Sequence, residues 1–279
     1  MILELVEIYF NYSYRFIYWI KCKYLSVRLF FFTFLLLPFT LLSQSLFESK
    51  IEPLLLHIDN ANDILPLNFD SLEFYIYNQI PDLSHLSPDV RKKKFINLIL
   101  PSILIEKSKI KTAYNYVVDN FDNISLNKLT QPLYDYCNCI TVEELLLCLT
   151  EQPNSIILAQ AAIESGWGTS RFFLEGFNLF GIHSFSNEDN RIKASSNSKP
   201  VYVKKYIDIS SSVSDYLRTL AKGNSYLEYR KQRLEFKNVN NLIQYLTKYS
   251  ERRELYIKDI ALIIDYNNLT QYDTIQIQW

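Results

Sequence analysis

Apolar residues recur at helical spacing through most of the second half of the chain, and this pattern predicts a mainly helical protein. A long first helix is predicted from the start signal Ser87-Pro88-Asp89 to about residue 120, with a kink or break at Pro101. Thr141 and Glu144 have capping-box spacing, which predicts a short helix ending near residue 150. Further helices are predicted over residues 155–165, 171–175, 211–221, 239–247 and 255–264.

The pattern also suggests how the chain is divided. Residues 46–86 show no lasting periodicity and contain three prolines, so we predict an irregular spacer with short helical pieces. Residues 87–150 are then a helical N-terminal region, residues 151–270 the main domain, and residues 271–279 a tail. No internal repeat is visible.

The N-terminal segment has the features of an export signal. Lys21, Lys23 and Arg28 precede fourteen uncharged residues, 29–42, and a small-x-small sequence ends at Ser45. Fourteen residues are short for a spanning helix, which needs about 20, yet the apolar stretch extends to a marginal span if it is counted through Phe47. We therefore interpret residues 1–45 as a signal peptide or an N-terminal membrane anchor, with a buried core helix as a third alternative.

Composition excludes some functions. The formal net charge is −1 over 279 residues, which gives no electrostatic argument for nucleic-acid binding. The sequence shows no cluster of His, Cys and Asp residues with metal-ligand spacing, so neither a metal nor another cofactor is expected. His183, near the glycine cluster described below, is interpreted as a structural or rim residue.

Four cysteines are present, and three of them follow the apolar segment. Cys137 and Cys139 lack the spacing of a zinc or redox motif. We interpret these cysteines as structural thiols, with the alternative that Cys148 bridges Cys137 or Cys139 if the compartment is oxidising.

The chain uses glycine sparingly, and most of its glycines surround one acid. Only five glycines occur, and four of them lie between residues 166 and 181. Asn154 or Ser155 is placed to cap a helix that ends near Ser165, with Gly166 as its left-handed terminal residue.

Glu164 then lies in the last turn of this helix, at the negative end of the helix dipole, where the ionised carboxylate is disfavoured. Trp167 is a candidate apolar wall that strengthens this effect, so Glu164 is a candidate general acid. The alternative is an ordinary exposed glutamate.

Residues 177–182 follow as an extended segment with a turn at Gly181. This turn is expected to bring Asn178 and Phe180 back toward Glu164. We therefore predict that Asn178 and Phe180 contribute to substrate binding.

Two stretches make the function more specific. AQAAIESGWGTSR over residues 159–171 and EGFNLFGI over residues 175–182 resemble the signature of the family 73 glycoside hydrolases, glucosaminidases that cleave the glycan strand of peptidoglycan. The likeness continues toward the bacterial Bax-type proteins around residues 95–107, 212–217, 226–230 and 249–256. It covers about residues 87–270. The resemblance implies a lysozyme-like α+β fold, mainly helical, with a small β-hairpin lobe between His183 and Tyr206 over a saccharide groove.

The resemblance also assigns site residues. It implies that Glu164 is the general acid and that a second carboxylate comes from the hairpin lobe, for which Glu188 is the candidate and Asp189 the alternative. If both are solvated hairpin charges, the N-acetyl group of the substrate assists instead. Tyr249 matches a tyrosine that lines the cleft, and its predicted catalytic part is to orient the acetamido group or the water through its hydroxyl, with core packing as the alternative. The aromatic rings of Trp167 and Tyr202 are expected to contact the substrate.

These expectations combine into one functional prediction. The chain is predicted to be an endo-β-N-acetylglucosaminidase that cleaves peptidoglycan as a monomer in the cell envelope, on the periplasmic side of the inner membrane. Its N-terminal segment is expected to contact that membrane. The alternatives are a lytic transglycosylase using the same glutamate and a catalytically inactive wall-binding or scaffold protein.

Overall fold

A computed structural model describes residues 46–275, except residues 48, 50, 69–73, 195–199 and 236–237. The predicted signal peptide or anchor over residues 1–45 lies outside the described residues. In the part of the chain that is described, no helix is both long and apolar enough to cross a lipid bilayer.

Helices dominate the described residues, and the strands form two small sheets. The predicted class, mainly helical with a small β component, is confirmed. The strands are β1 (Leu54–Leu56), β2 (Tyr75–Tyr77), β3 (Arg191–Ala194) and β4 (Val201–Lys204). The helices are α1 (Pro88–Asp119), α2 (Gln131–Cys137), α3 (Val142–Leu149), α4 (Asn154–Ser165), α5 (Arg171–Gly176), α6 (Ile209–Lys222), α7 (Leu227–Glu235), α8 (Val239–Leu242) and α9 (Glu254–Tyr266).

Helix α1 begins at Pro88, as its start signal predicts, and it continues through Pro101 to Asp119. The helix is therefore not broken at Pro101, and the alternative of a kink there stays a prediction. Every residue from Phe95 to Ser108 is buried. A proline removes one backbone hydrogen bond from a helix, and packing on all sides offsets that loss here.

Two apolar clusters hold the helices together. The larger one joins the first half of α1 to α4, α6 and α9, and Phe95, Leu98 and Ile99 are fully buried in it. The smaller one joins the second half of α1 to α2 and α3, and it contains a disulfide between Cys137 and Cys148 with Cα atoms 5.8 Å apart. The interpretation of all the cysteines as thiols is wrong for this pair, whereas Cys139 is free.

The segment before α1 is more ordered than a spacer. Strand β1 pairs with β2 in parallel, with Leu54 opposite Tyr75. Between these strands, a 3-10 helix over Ala61–Asp63 confirms the predicted short helical pieces. Tyr77 and Leu83 are buried in the larger cluster, so the segment packs on the helical body. Three-residue strands are too short to show alternation, which explains why the sequence analysis missed them.

Strands β3 and β4 form the predicted hairpin, in which Ile192 lies opposite Val203. A bridge between His183 and Val203 extends the pairing toward Gly181. The hairpin packs closely on the end of α5, because a Cβ atom on Gly176 would lie 2.6 Å from Ile192 Cδ1. A larger residue at position 176 would require the end of the Ile192 side chain to shift.

Asp273, a residue near the end of the chain, caps the start of helix α4. The Asp273 carboxylate accepts hydrogen bonds from the Ser155 backbone N–H at 2.8 Å and from Ser155 Oγ at 2.7 Å. The predicted cap, Asn154 or Ser155, is therefore wrong, since Asn154 is the first residue of the helix and an acid 118 residues away caps it. Asp273 belongs to a 3-10 helix over Leu269–Thr274.

Candidate active site

The end of α4 forms a tight left-handed turn, which confirms the predicted role of Gly166. Gly166 has φ 58° and ψ 45°, and its N–H reaches the carbonyls of Ala162 and Ile163. Trp167 and Gly168 also have positive φ angles, 57° and 83°. Three consecutive residues in this region reverse the chain immediately after Glu164 and Ser165.

The Glu164 carboxyl group lies half-buried beside this turn. Burial raises the pKa of Glu164, while a hydrogen bond from the Tyr256 hydroxyl and the positive charge of Arg252 act in the opposite direction. A Cβ atom on Gly181 would lie 3.5 Å from Glu164 Oε2, so the segment over residues 177–182 passes directly beside the acid. The side chain is therefore suited to keep its proton to a higher pH than a free glutamate.

The buried Tyr216 and Tyr256 and the partly buried Tyr249 lie next to Glu164. The Tyr249 ring stacks on the Tyr256 ring at 5.7 Å with an interplanar angle of 7°, and it meets the Tyr216 ring edge-on at 6.1 Å. The charge of Glu164 contributes to the raised pKa of Tyr249. The structure thus places Tyr249 near the acid, while its predicted part in catalysis stays a prediction.

Asn178 has a different role from the one predicted. It is 1% exposed, and its Nδ2 donates to the carbonyls of Ile182 at 2.9 Å and Lys204 at 2.8 Å. Its Oδ1 accepts from the Ile182 N–H at 2.9 Å. Both amide hydrogens of Asn178 hold the turn at Gly181 against the hairpin. The predicted substrate contact of Asn178 is therefore corrected to a positioning role.

Phe180 is likewise buried, with 3% of its surface exposed. Its ring stacks on Tyr216 at 4.0 Å with an angle of 11°. The predicted substrate contact of Phe180 is therefore corrected to core packing. Its aromatic character gave no indication of which way the turn would direct it.

Trp167 packs toward α1. Its ring meets Phe95 edge-on at 5.7 Å, and the Lys92 ammonium lies 5.4 Å from its centroid. These contacts hold the half-buried ring beside the turn. Its predicted roles as a wall for Glu164 and as a substrate contact stay predictions.

The hairpin lobe carries the remaining predicted residues. Glu188 is exposed in the loop before β3, and the Asp189 carboxylate accepts from Ser184 Oγ at 2.8 Å. The Tyr202 ring is half-buried under the Arg191 guanidinium at 3.9 Å. Their catalytic and binding roles stay predictions. Among the described residues, no group of three His, Cys, Asp or Glu side chains is arranged to hold a metal ion.

Sequence reasoning missed Gln160 and Arg252 as part of this site. Gln160 lies one helical turn before Glu164 on α4, and this i, i+4 spacing is the signal that identifies it. Arg252 lies in the turn between Tyr249 and α9, and its contribution depends on the packing of α9 against α4.

Residues 148–269 match the family model called Glucosaminidase, described as mannosyl-glycoprotein endo-beta-N-acetylglucosaminidase. These residues form a glucosaminidase-family domain. The match includes Glu164, its turn, the hairpin and the tyrosine group, and it identifies the domain as one of a glycoside hydrolase family. It confirms the family that the motifs of residues 159–182 suggested.

Individual proteins are similar to this chain over part of its length. Protein bax from Escherichia coli (strain K12) is 26% identical over 201 residues, which cover 64% of this chain and 71% of that protein. The catalytic domain of the autolysin Auto from Listeria monocytogenes is 25% identical and covers 57% of this chain and 96% of its own, with a TM-score of 0.37. The glycoside hydrolase domain of FlgJ from Salmonella typhimurium is 18% identical and covers 50% and 90%, with a TM-score of 0.36. The assignment of the domain rests on the family match.

Proposed function

We propose that this chain is a peptidoglycan hydrolase that cleaves the β-1,4 bond on the reducing side of N-acetylglucosamine, with Glu164 as general acid. The observation that carries the proposal is the setting of Glu164. Its carboxyl group is half-buried at the end of α4, and burial raises its pKa. A general acid in glycoside hydrolysis needs this property, because it must hold a proton near neutral pH.

The surroundings of Glu164 also suit the state after proton transfer. Once the leaving oxygen has taken the proton, Glu164 carries a negative charge. The Tyr256 hydroxyl and the Arg252 charge both favour this form. The domain family supports the type of bond, and the resemblance of residues 159–182 to wall-cleaving glucosaminidases supports the substrate.

In an inverting mechanism a base activates the attacking water while Glu164 protonates the leaving oxygen. We propose Glu188 as this base, since it is an exposed carboxylate on the hairpin lobe. An inverting enzyme requires roughly 6.5–9.5 Å between its two carboxyl groups. If Glu188 is replaced by Gln and activity persists, the N-acetyl group of the substrate assists instead, as an internal nucleophile at the anomeric carbon. Trp167, Tyr202 and Tyr249 are the proposed contacts with the glycan.

The envelope is the proposed location. The disulfide between Cys137 and Cys148 supports an oxidising compartment, because such bonds persist mainly outside the cytosol. Export through residues 1–45, membrane contact by that segment and a monomeric state are parts of the same proposal.

The test is digestion of purified sacculi by the full-length chain, followed by mass spectrometry of the products. We expect fragments with reducing N-acetylglucosamine ends. Glu164→Gln should reduce their release by roughly 10²–10⁴-fold, the usual contribution of a general acid. The matched control is Glu175→Gln, since Glu175 also precedes a helix-ending glycine but is exposed.

Other products would contradict the proposal. Anhydro-muramoyl ends would identify a lytic transglycosylase. Binding to sacculi without cleavage by the wild-type chain would identify a scaffold protein.

A further inference from the structure

We propose that Gln160 and Tyr216 are positioning residues for Glu164, because their buried hydrogen bonds direct the hydroxyl hydrogen of Tyr256 onto the Glu164 carboxylate. This inference rests on the proposed role of Glu164 as general acid. It adds residues from two further helices, α6 and α9, to the machinery around that acid.

The first part of the argument is a chain of buried hydrogen bonds. Tyr216 Oη donates to Gln160 Oε1 at 2.7 Å, and Gln160 Nε2 donates to Tyr256 Oη at 3.1 Å. The Tyr256 hydroxyl in turn bonds to Glu164. Gln160 and Tyr216 are 0% exposed and Tyr256 is 1% exposed, so water does not compete for these groups.

The two distances agree with the direction in which each group of this hydrogen-bond series donates. An O–H···O bond is typically about 2.7–2.8 Å long, and an N–H···O bond about 2.9–3.0 Å. The shorter contact of Gln160 is therefore with its carbonyl oxygen and the longer one with its amide nitrogen. Since Tyr256 Oη accepts from that nitrogen, its own hydrogen is free to point to Glu164.

Each link has one chemical consequence. The bond from Gln160 lowers the pKa of Tyr256, while the bond to Glu164 raises it, as expected of a hydroxyl that accepts from the first and donates to the second. The hydrogen bond between Tyr256 and Glu164 also lowers the pKa of Glu164. It is strongest once the acid has released its proton, so it favours the product of the proton transfer.

The other titratable groups that act on the Glu164 carboxyl lie in the turn before α9. Arg252, in the turn before α9, lowers the pKa of Glu164, and Tyr249 from the same turn faces it as a neutral phenol. From the other side, Gly181 contributes backbone only. A change in the donation by Tyr256 should therefore be visible in the titration of Glu164.

The chain offers a matched pair of variants. Tyr216→Phe and Tyr229→Phe each remove one fully buried hydroxyl that donates to a glutamine Oε1 at 2.7 Å. The acceptor of Tyr229 is Gln152, which also bonds to Tyr216 and therefore lies one link further from Glu164 than Tyr216 does. A merely structural role predicts the same result for both variants.

The experiment is a ¹³C NMR titration of the glutamate carboxyl carbons in the full-length chain, with Glu164→Gln used to assign the signal. Tyr256→Phe should raise the pKa of Glu164 by roughly one pH unit, since it removes a hydrogen bond to a charged group. Tyr216→Phe should also raise the pKa of Glu164, because the freed Gln160 amide can turn its oxygen to Tyr256 and compete for the hydroxyl hydrogen. The rise should be smaller, because the Tyr256 hydroxyl itself is still present. Tyr229→Phe should change it least, because Tyr229 lies two hydrogen bonds further from Glu164 than Tyr216 does.

Activity gives the second readout. Because Glu164 must be protonated to act, the high-pH limb of the kcat/KM profile should move to higher pH. The shift should be largest in Tyr256→Phe, smaller in Tyr216→Phe and smallest in Tyr229→Phe. The proposal is overturned if Tyr216→Phe titrates like Tyr229→Phe. If Tyr256→Phe does not fold, the comparison of Tyr216→Phe with Tyr229→Phe still decides. The NMR result does not require hydrolysis, so an inactive wild-type chain would refute the proposed function and not the hydrogen-bond chain.

Discussion

Two of the described glutamates have their pKa raised by burial, and only one of them lies in the candidate active site. Glu106 lies in the middle of α1 and contacts the Lys109 ammonium at 2.7 Å. Glu164 lies at the end of α4, where its partners are the Tyr256 hydroxyl and the charge of Arg252. Glu106 even lines a cleft of about 390 Å³ together with Asp208 and Arg218.

The difference shows that a buried acid in a cleft is not enough to define a catalytic site. Lys109 follows Glu106 by one helical turn, so the carboxylate has a full counter-charge from its own helix. Glu164 is bonded by a neutral hydroxyl and lies in the last turn of a helix whose dipole opposes ionisation. Glu106 is therefore suited to a permanent ion pair, whereas Glu164 is suited to gain and lose a proton.

The largest expected effect separates the two acids by activity. Glu164→Gln should lower sacculus hydrolysis by roughly 10²–10⁴-fold, whereas Glu106→Gln should leave it within about twofold per folded molecule. The reason is that the amide at position 106 removes an ion pair outside the site. Hydrolysis rates corrected for the folded fraction check this. Equal losses in both variants would contradict the distinction.

The next effect concerns the pH dependence of stability. In both glutamates burial raises the folded pKa above the ordinary value of 4.5, so the folded chain binds more protons than the unfolded chain just above that pH. Stability therefore falls as pH rises from about 4.5 through each folded pKa, by at most about 1.4 kcal/mol per pH unit for each group. Glu106→Gln and Glu164→Gln should each make this fall shallower.

Urea unfolding at a series of pH values measures that slope. The exposed Glu175 supplies the control, since its replacement by Gln should leave the curve parallel to that of the wild type. The curves of Glu106→Gln and Glu164→Gln should not be parallel to that of the wild type. Parallel curves would contradict the conclusion that burial disfavours the ionised form of these two glutamates.

The smallest effect tests the space beside Glu164. Gly181 has φ 65°, and a Cβ atom there would lie 3.5 Å from Glu164 Oε2. Gly181→Ala should cost about 1 kcal/mol of stability because of its positive φ, and it should lower kcat/KM because its methyl group would fill the space in contact with the acid. Gly166→Ala is the control, since it has φ 58° but its Cβ atom would meet Thr169. Similar losses of activity in both variants would contradict a specific effect at Gly181.

Signals that act within a few residues were readable from the sequence. The start of α1 at Pro88, the capping box at Thr141 and the left-handed Gly166 each depend on neighbours along the chain, and each was predicted correctly. The roles of Asn178 and Phe180 were not, because the turn at Gly181 determines which side chains it buries.

Long-range partners were equally unreadable. Asp273 caps α4 from 118 residues away, and the chain Tyr216–Gln160–Tyr256 joins three helices whose spacing along the chain carries no pattern. The short strands β1 and β2 pair across an intervening loop for the same reason.

By itself, the sequence determined the helical class, the glucosaminidase family of the domain and the position of Glu164 next to a helix-ending glycine. These follow from local backbone preferences and from a motif that is contiguous along the chain. The tertiary structure alone decided which groups bury Glu164, which hydroxyl donates to it and which other buried glutamate is neutralised by a lysine. A pKa is set by the solvent exclusion and dipoles that surround a group in space, and folding brings those together from distant parts of the chain.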